Sequence, residues 1–255
     1  MMNALYSAAT GMSAQQMGMD VIANNLANVN TTGYKASRLT FEDLLYTELG
    51  DRNAARQGSQ VGMGVAPGRT DRNFTQGDIR ETGIGTNIAI EGDGFFQVTM
   101  PDGTIGYTRD GSFAPDANGQ LVNASGYRLE PGVVIPQDVV GGSLSIAANG
   151  RITGKIGNET VTLGQLDIAT FANSAGLEAV GNNTFLATIN SGPPALEEPG
   201  IQGRGVLRQG HVEGSNVSVM TEMIDMITAQ RAFESVSKVI STSDEMLGMA
   251  NALRR

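Results

Sequence analysis

Apolar positions recur with a helical period at both ends of the chain and with a period of two between them. From Ser215 to Arg255 the sequence reads as one uninterrupted helix, with no proline after Pro199 and Gly248 as the sole glycine after Gly214. Val219, Met226, Phe233, Ile240 and Leu247 form a seven-residue ladder, flanked by Ala229, Val236 and Ala250 on one side and Ala232, Val239, Met246 and Leu253 on the other. The first turns differ: Val217, Val219, Met220, Met223, Ile224, Met226 and Ile227 surround the axis, and a helix apolar all round must be buried all round. At about 1.5 Å per residue such a helix runs about 57 Å, more than one small domain covers. Asn216 or Ser218 is placed to cap it, with Glu222 near the positive end of the helix dipole and Arg254 and Arg255 at the negative end.

Residues 3–30 repeat this logic. Leu5, Met12, Met19 and Leu26 form a second seven-residue ladder, beside a column of small residues, Ala4, Gly11 and Gly18, that lets another backbone approach closely. The helix is expected to end near Asn28 to Asn30, before Thr31, Thr32 and Gly33. Two such segments at opposite ends most simply pair with each other, and their surplus apolar surface points to packing between subunits. Residues 34–46 are a short helix or an extended arm anchored by Leu39, Phe41, Leu44 and Leu45, and 47–69 a linker or exposed excursion.

From about Phe74 to Gly210 short alternating runs are separated by Asp93-Gly94, Asp102-Gly103, Asp110-Gly111, Asn118-Gly119 and Asn149-Gly150, dipeptides that favour type I′ hairpin turns. About a dozen short strands in succession indicate an all-β region. The expected fold class is therefore α+β. Residues 1–35 and 215–255 form a discontinuous, coiled-coil-like helical domain, 36–73 a connecting arm and excursion, and 74–210 a central all-β domain.

Composition narrows the function. The chain of 255 residues has no cysteine, which removes disulfides, thiolate nucleophiles and thiolate metal sites. Almost all of the net charge of −9 lies in the middle segment, while both ends are near neutral. Near-neutral helices pack closely against copies of themselves, and the acidic middle argues against nucleic acid or anionic membrane as partners. No apolar run is long enough to cross a bilayer, and the N-terminus lacks the basic and apolar regions of a cleavable secretory signal.

Candidate chemistry gives way to simpler readings. His211, the single histidine, sits beside a glycine with no cysteine to work with. Ser235 to Lys238 matches S-x-x-K inside the amphipathic helix, with no partner motif following. Gly62, Gly64 and Gly68 fit no nucleotide-binding pattern. Asp116 to Gly119 lacks the ligands a calcium loop needs at either end, and the acidic residues of the β region cluster at turns rather than as a glycosidase pair. No catalytic, cofactor-binding or metal-ligating residue is expected.

Several long strings are specific. NNLANVNTTGYK (Asn24 to Lys35), FEDLLY (Phe41 to Tyr46), GDGFFQV (Gly92 to Val98), YTRDGSF (Tyr107 to Phe113), QGHVEGSNV (Gln209 to Val217), EMIDMITAQRAFE (Glu222 to Glu234) and SDEML (Ser243 to Leu247) occur in order. Together they resemble the bacterial flagellar rod and hook family over nearly the whole chain, and FEDLLY and YTRDGSF are most similar to its distal-rod members. The resemblance implies a structural subunit that polymerises helically into the rod, the drive shaft crossing the periplasm and outer membrane. It also implies type III export without a cleavable signal peptide, terminal helices that order on assembly, and proximal rod, hook and L- and P-ring proteins as partners.

The segment Thr47 to Gly64 departs from the family in being short and lacking a Pro-Ser-Gly piece, which bears on subunit contacts there. The residues expected to carry assembly are Leu5, Met12, Met19, Leu26, Val219, Met220, Met223, Ile224, Met226, Ile227, Phe233, Ile240 and Leu247. A proximal rod or hook subunit, and in another class a cell-wall-degrading enzyme, remain the alternatives.

Overall fold

The computed structural model describes residues 2–44, 46–49, 59–136, 144–157, 159–201 and 204–252, with backbone alone for 2–4, 46–49, 59–61, 250 and 251. The chain divides into two compact units. The first contains residues 1–27, 37–72 and 218–255, and the second residues 28–36 and 73–217.

In the first unit, α1 (Met2–Ala27) ends where the sequence supplies Asn28 and Asn30. Within 36–73, expected as a connecting arm and exposed excursion, the described residues contribute four strands to this unit. β1 (Ser37–Asp43), β2 (Tyr46–Leu49), β3 (Ser59–Gly62) and β4 (Val65–Arg72) make two antiparallel ladders, β1 with β4 and β2 with β3. The β1–β4 register shifts between Leu39 and Phe41, where Pro67 stands opposite Phe41. Proline has no amide to donate, so a bulge is the natural accommodation. The anchors Leu39 and Leu44 are half-buried and Phe41 is exposed, while Leu45 lies outside the described residues.

The second helix, α2 (Val219–Ala252), closes this unit. It begins later than the apolar pattern suggested. Ser218 takes the cap position, its carbonyl accepting the Glu222 amide at 3.0 Å. Asn216 has different work inside the second unit: its Oδ1 accepts the Ala36 amide, and its Nδ2 donates to the carbonyls of Asn73 and Thr75. Arg254 and Arg255 lie outside the described residues.

Among the described residues of the second unit, the regular elements are strands apart from one 3₁₀ turn. Its strands are β5 (Ile79–Glu81), β6 (Ile88–Glu91), β7 (Phe96–Thr99), β8 (Ile105–Thr108), β9 (Ala114–Pro115), β10 (Leu121–Val122), β11 (Arg128–Leu129), β12 (Leu144–Ile146), β13 (Arg151–Ile156), β14 (Glu159–Gln165), β15 (Ile168–Thr170), β16 (Glu178–Gly181), β17 (Thr184–Leu186), β18 (Ala195–Glu197), β19 (Val206–Gln209) and β20 (His211–Glu213). The largest sheet runs β16-β17-β8-β7-β11-β10-β9, with a three-stranded β12-β13-β14 sheet and the pairs β15-β18, β19-β6 and β20-β5. Consecutive side chains leave a strand on opposite faces, and GDGFFQV uses this to fill two cores. Phe96 packs edge-on to Phe113 at 5.3 Å in the main cluster of Ile88, Ile90, Val98, Ile152, Leu166 and Ile168. Phe95 joins an aromatic cluster with Phe74, Phe171, Tyr107 and Phe185.

The turns correct one expectation. Type I′ turns need positive φ at both central residues, but at Asp93-Gly94, Asp102-Gly103, Asn118-Gly119 and Asn149-Gly150 the glycine alone has it. At Asp110-Gly111 neither residue does, and a Cβ on Gly111 would lie 1.6 Å from the Ile88 carbonyl oxygen. That glycine is required by close backbone approach. Among the described residues, the non-glycine positive φ values are at Asn182 and Asn183 (50° and 53°), directly after Gly181 (102°), between β16 and β17.

Candidate assembly surface

Exposure divides the expected assembly residues into two groups. Along α1, Leu5, Met12, Met19 and Leu26 are half-buried, with Ala8, Gln15 and Ile22 completing a 3–4 alternation on the same face. Along α2, Met226, Phe233, Ile240 and Leu247 are half-buried, and Ala229, Val236 and Ser243 fill the intervening positions. The two helices touch each other within the first unit. Because the C-terminal end of α1 meets the first turn of α2 at Asn25 and Glu222, they run in opposite directions from that point.

The other group stands in solvent in the single chain. Val219, Met220, Met223, Ile224 and Ile227 are 43, 74, 53, 55 and 48% exposed, and Val239, Met246 and Met249 continue the apolar surface further along. Met220, Ile224 and Ile227 follow i, i+4, i+7 spacing, so they share one helix face. A face of this kind is a hydrophobic cost in water unless something covers it.

Of the small-residue column, a Cβ on Gly11 would meet nothing within 4 Å, and Gly18 lies beside a strand. A Cβ on Gly18 would meet the Phe41 ring of β1 at 3.7 Å. At Gly64, with φ of +101°, a Cβ would lie 2.3 Å from Thr10 Oγ1 of α1, and that hydroxyl oxygen accepts the Val65 amide at 3.4 Å. The glycine that a close approach requires is thus Gly64, beside Thr10 of α1.

Two polar constellations escaped periodicity. In the first unit Asn25, 2% exposed, donates from Nδ2 to the Ser37 carbonyl at 2.8 Å and to both Glu222 carboxylate oxygens at 3.3 Å, while its Oδ1 accepts the Ser37 amide at 2.9 Å. Burial pushes the Glu222 carboxyl above the usual carboxylate range, opposed by the hydrogen bond from Asn25.

In the second unit Glu213, fully buried, receives Lys35 Nζ at 2.6 Å, Arg109 Nη1 at 3.2 Å and the Gly77 amide at 2.9 Å. Lys35 also donates to the Thr75 carbonyl at 2.7 Å, and Arg109 stacks over Phe95 at 5.3 Å. Burial lowers the pKa of both cations, and Glu213 opposes this by favouring their charged forms. The strings ending in GYK, containing YTRDGSF and containing HVEG each supply one member, a signal visible only to someone asking why charges recur inside apolar context.

Beside Arg109 lies a cavity of about 320 Å³, walled by Phe74, Phe95 and Phe171 and bordered by Asp93 and Arg204. Arg109 Nε has no hydrogen-bond partner among the described residues.

The residues weighed for chemistry have structural roles. His211 Nδ1 lies 2.8 Å from the Gln209 carbonyl oxygen at the start of β20. Ser235 Oγ donates to the Arg231 carbonyl one turn back along α2. Asp116 Oδ1 accepts the amides of Asn118 and Gln120, both at 2.8 Å, and Asp102 holds Thr104 in the same way. These contacts lower both carboxyl pKa values, chiefly through the Thr104 hydroxyl at Asp102 and the Gln120 amide at Asp116. No described helix is long and apolar enough to cross a membrane.

Terminal helices gathered into one unit, a separate β unit, and an uncovered apolar face on the longer helix define a structural assembly subunit. Three family models match in order: "Flagella basal body rod protein" over residues 5–35, "Flagellar hook protein FlgE/F/G D1 domain" over 89–154, and "Flagellar basal body rod FlgEFG protein C-terminal" over 208–253. The chain is 48% identical to a flagellar basal-body rod protein FlgG of Borreliella burgdorferi, covering all of both chains. It is 45% identical to that of Agrobacterium fabrum over 98% of each chain and 40% identical to that of Bacillus subtilis over the full length of both. The chain belongs to the FlgG family of flagellar basal-body rod proteins. That family is structural, and the wall-degrading alternative finds no support among these relatives.

Proposed function

We propose that this chain is the repeating subunit of the distal flagellar rod, a helical homopolymer held together through its terminal helices. The observation that carries the reading is the uncovered face of Met220, Ile224 and Ile227, more apolar surface than α1 covers. In the polymer, α1 and α2 pair through their heptad seams as a coiled-coil-like inner layer, and the exposed residues of α2 pack on neighbouring copies. The strands of 37–72 belong with this assembly domain, which extends the division expected at 1–35 and 215–255.

On this reading the protein works in the basal body between periplasm and outer membrane, after type III export without a cleavable signal peptide. Its further partners are proximal rod subunits, the hook protein and the L- and P-ring proteins. A proximal rod or hook subunit is the second reading, favoured by a 33% identical relative named FlgF from Caulobacter vibrioides and by the shared FlgE/F/G model.

Electron microscopy of concentrated protein tests the proposal. Straight tubes are expected, and Ile224→Asp should abolish them while leaving the β unit folded. Curved tubes would favour the hook reading, and compact monomers at all concentrations would sink both.

A further inference from the structure

The chain has 12 methionines, no cysteine and no tryptophan, so a two-electron oxidant such as hydrogen peroxide meets no thiol before it meets a thioether. The methionines divide by place. Met17 on α1 and Met220, Met223, Met246 and Met249 on α2 are exposed, whereas Met12, Met19 and Met226 in the ladders, and Met63 and Met100 outside the helices, are half-buried. Among the described residues, every exposed thioether therefore stands on a helix of the first unit. The four on α2 form two pairs at i, i+3 spacing, Met220 with Met223 and Met246 with Met249, and Met220 and Met223 each have an exposed isoleucine four residues on, Ile224 and Ile227.

We propose that the exposed methionines of α2 are a reversible oxidation site that governs whether the subunit can assemble. The sulfur lone pair attacks one peroxide oxygen, so that an S–O bond forms and the O–O bond breaks. The proton on the transferred oxygen passes to the departing hydroxide, which leaves as water. Sulfur loses two electrons and peroxide takes them up. The product is a sulfoxide, a polar acceptor where an apolar sulfur stood. In the free chain that oxygen stays hydrated, but packed beside Ile224 and Ile227 in a contact between copies it is an acceptor with no donor. A dithiol-fed reductase reverses the change: two thiols become a disulfide, and the oxygen leaves as water.

The inference rests on the proposed packing of α2 against neighbouring copies. The test treats the purified chain with hydrogen peroxide, maps sulfoxides by mass spectrometry and looks for tubes by electron microscopy. Part of the sample is then repaired with methionine sulfoxide reductases for both epimers and a dithiol. The parent should lose its tubes, the concentration at which they form rising by about tenfold for each sulfoxide, and should regain them on repair. M220L/M223L/M246L/M249L, whose α2 face is as apolar, should form tubes before and after peroxide, although Met17 stays oxidisable. M12L/M19L/M226L keeps the α2 set and should respond as the parent does.

Undiminished tubes in a parent whose four α2 methionines are shown to be sulfoxides overturn the proposal. So does a loss of tubes in the four-leucine variant as deep as the parent's. A parent that forms no tubes before peroxide refutes the assembly reading instead. The site is then judged by mass spectrometry, where Met220, Met223, Met246 and Met249 should take up oxygen faster than Met100, and equal rates overturn it.

Discussion

Glu213 is a point on which the β unit depends, since two buried cations and the Gly77 amide converge on its carboxylate. Removing it leaves Lys35 buried without its anion and Arg109 with Asp93 as its anion nearby, a situation that costs about 3–5 kcal/mol. Urea unfolding of Glu213→Ala should show that loss. Lys35→Met should be milder, because Glu213 keeps Arg109 and Gly77 and the thioether fills the stem's volume.

Carboxylates elsewhere predict opposite responses to acid in the two units. Asp102 and Asp116 have lowered folded pKa values, so their stabilisation is present above the ordinary carboxylate pKa and is lost as pH falls through the lowered one. Glu222 has a raised folded pKa. The folded state therefore keeps its proton where the unfolded chain has lost it, and stability of the helical unit falls as pH rises from the ordinary glutamate pKa through the raised one. Glu222→Gln should flatten that dependence, and Asp116→Asn should weaken the acid sensitivity of the β unit. Thermal melts followed at helix and sheet wavelengths between pH 3 and 7 check both. None of these residues was legible as a site in the sequence: 35, 109 and 213 lie far apart, and periodicity registers a buried charge only as an exception.

Among the elements, glycines distinguish turn chemistry from packing. Gly111→Ala should prevent the β unit from folding, because no rotamer moves a Cβ away from the Ile88 carbonyl oxygen 1.6 Å off. Gly126, with φ of +80° and nothing within 4 Å, is limited only by its backbone angle, so Gly126→Ala should cost about 1–2 kcal/mol. Differential scanning calorimetry separates the two. Asp-Gly spacing announced the turns but not their type, since φ at the first residue follows from how the flanking strands are held. In α2 the ladder positions Met226, Phe233, Ile240 and Leu247 are the half-buried ones. Phe233, half-buried in the single chain, should on truncation to Ala destabilise tubes more than the isolated subunit, with about 3–5 kcal/mol as the limit for full burial.

At the scale of the molecule the boundary between units falls at Val217 and Ser218, not at the start of the apolar pattern. Deleting 218–255 should leave a soluble chain with its sheet transition intact and no ability to form tubes. Deleting 216–255 should lower that transition, because Asn216 ties Ala36, Asn73 and Thr75 together. A truncated chain that still made tubes would overturn the assembly role of α2.

The amino-acid order by itself determined the two long helices, the β character between them and the family, because each depends on local periodicity or on contiguous strings. Tertiary structure decided what depends on residues far apart: strands in place of an arm at 37–72, Glu213 between Lys35 and Arg109, and Asn25 on Glu222. It also left one part of the apolar surface of α2 half-buried and another part exposed. Burial and pairing are properties of the whole set of neighbours, which no local pattern specifies.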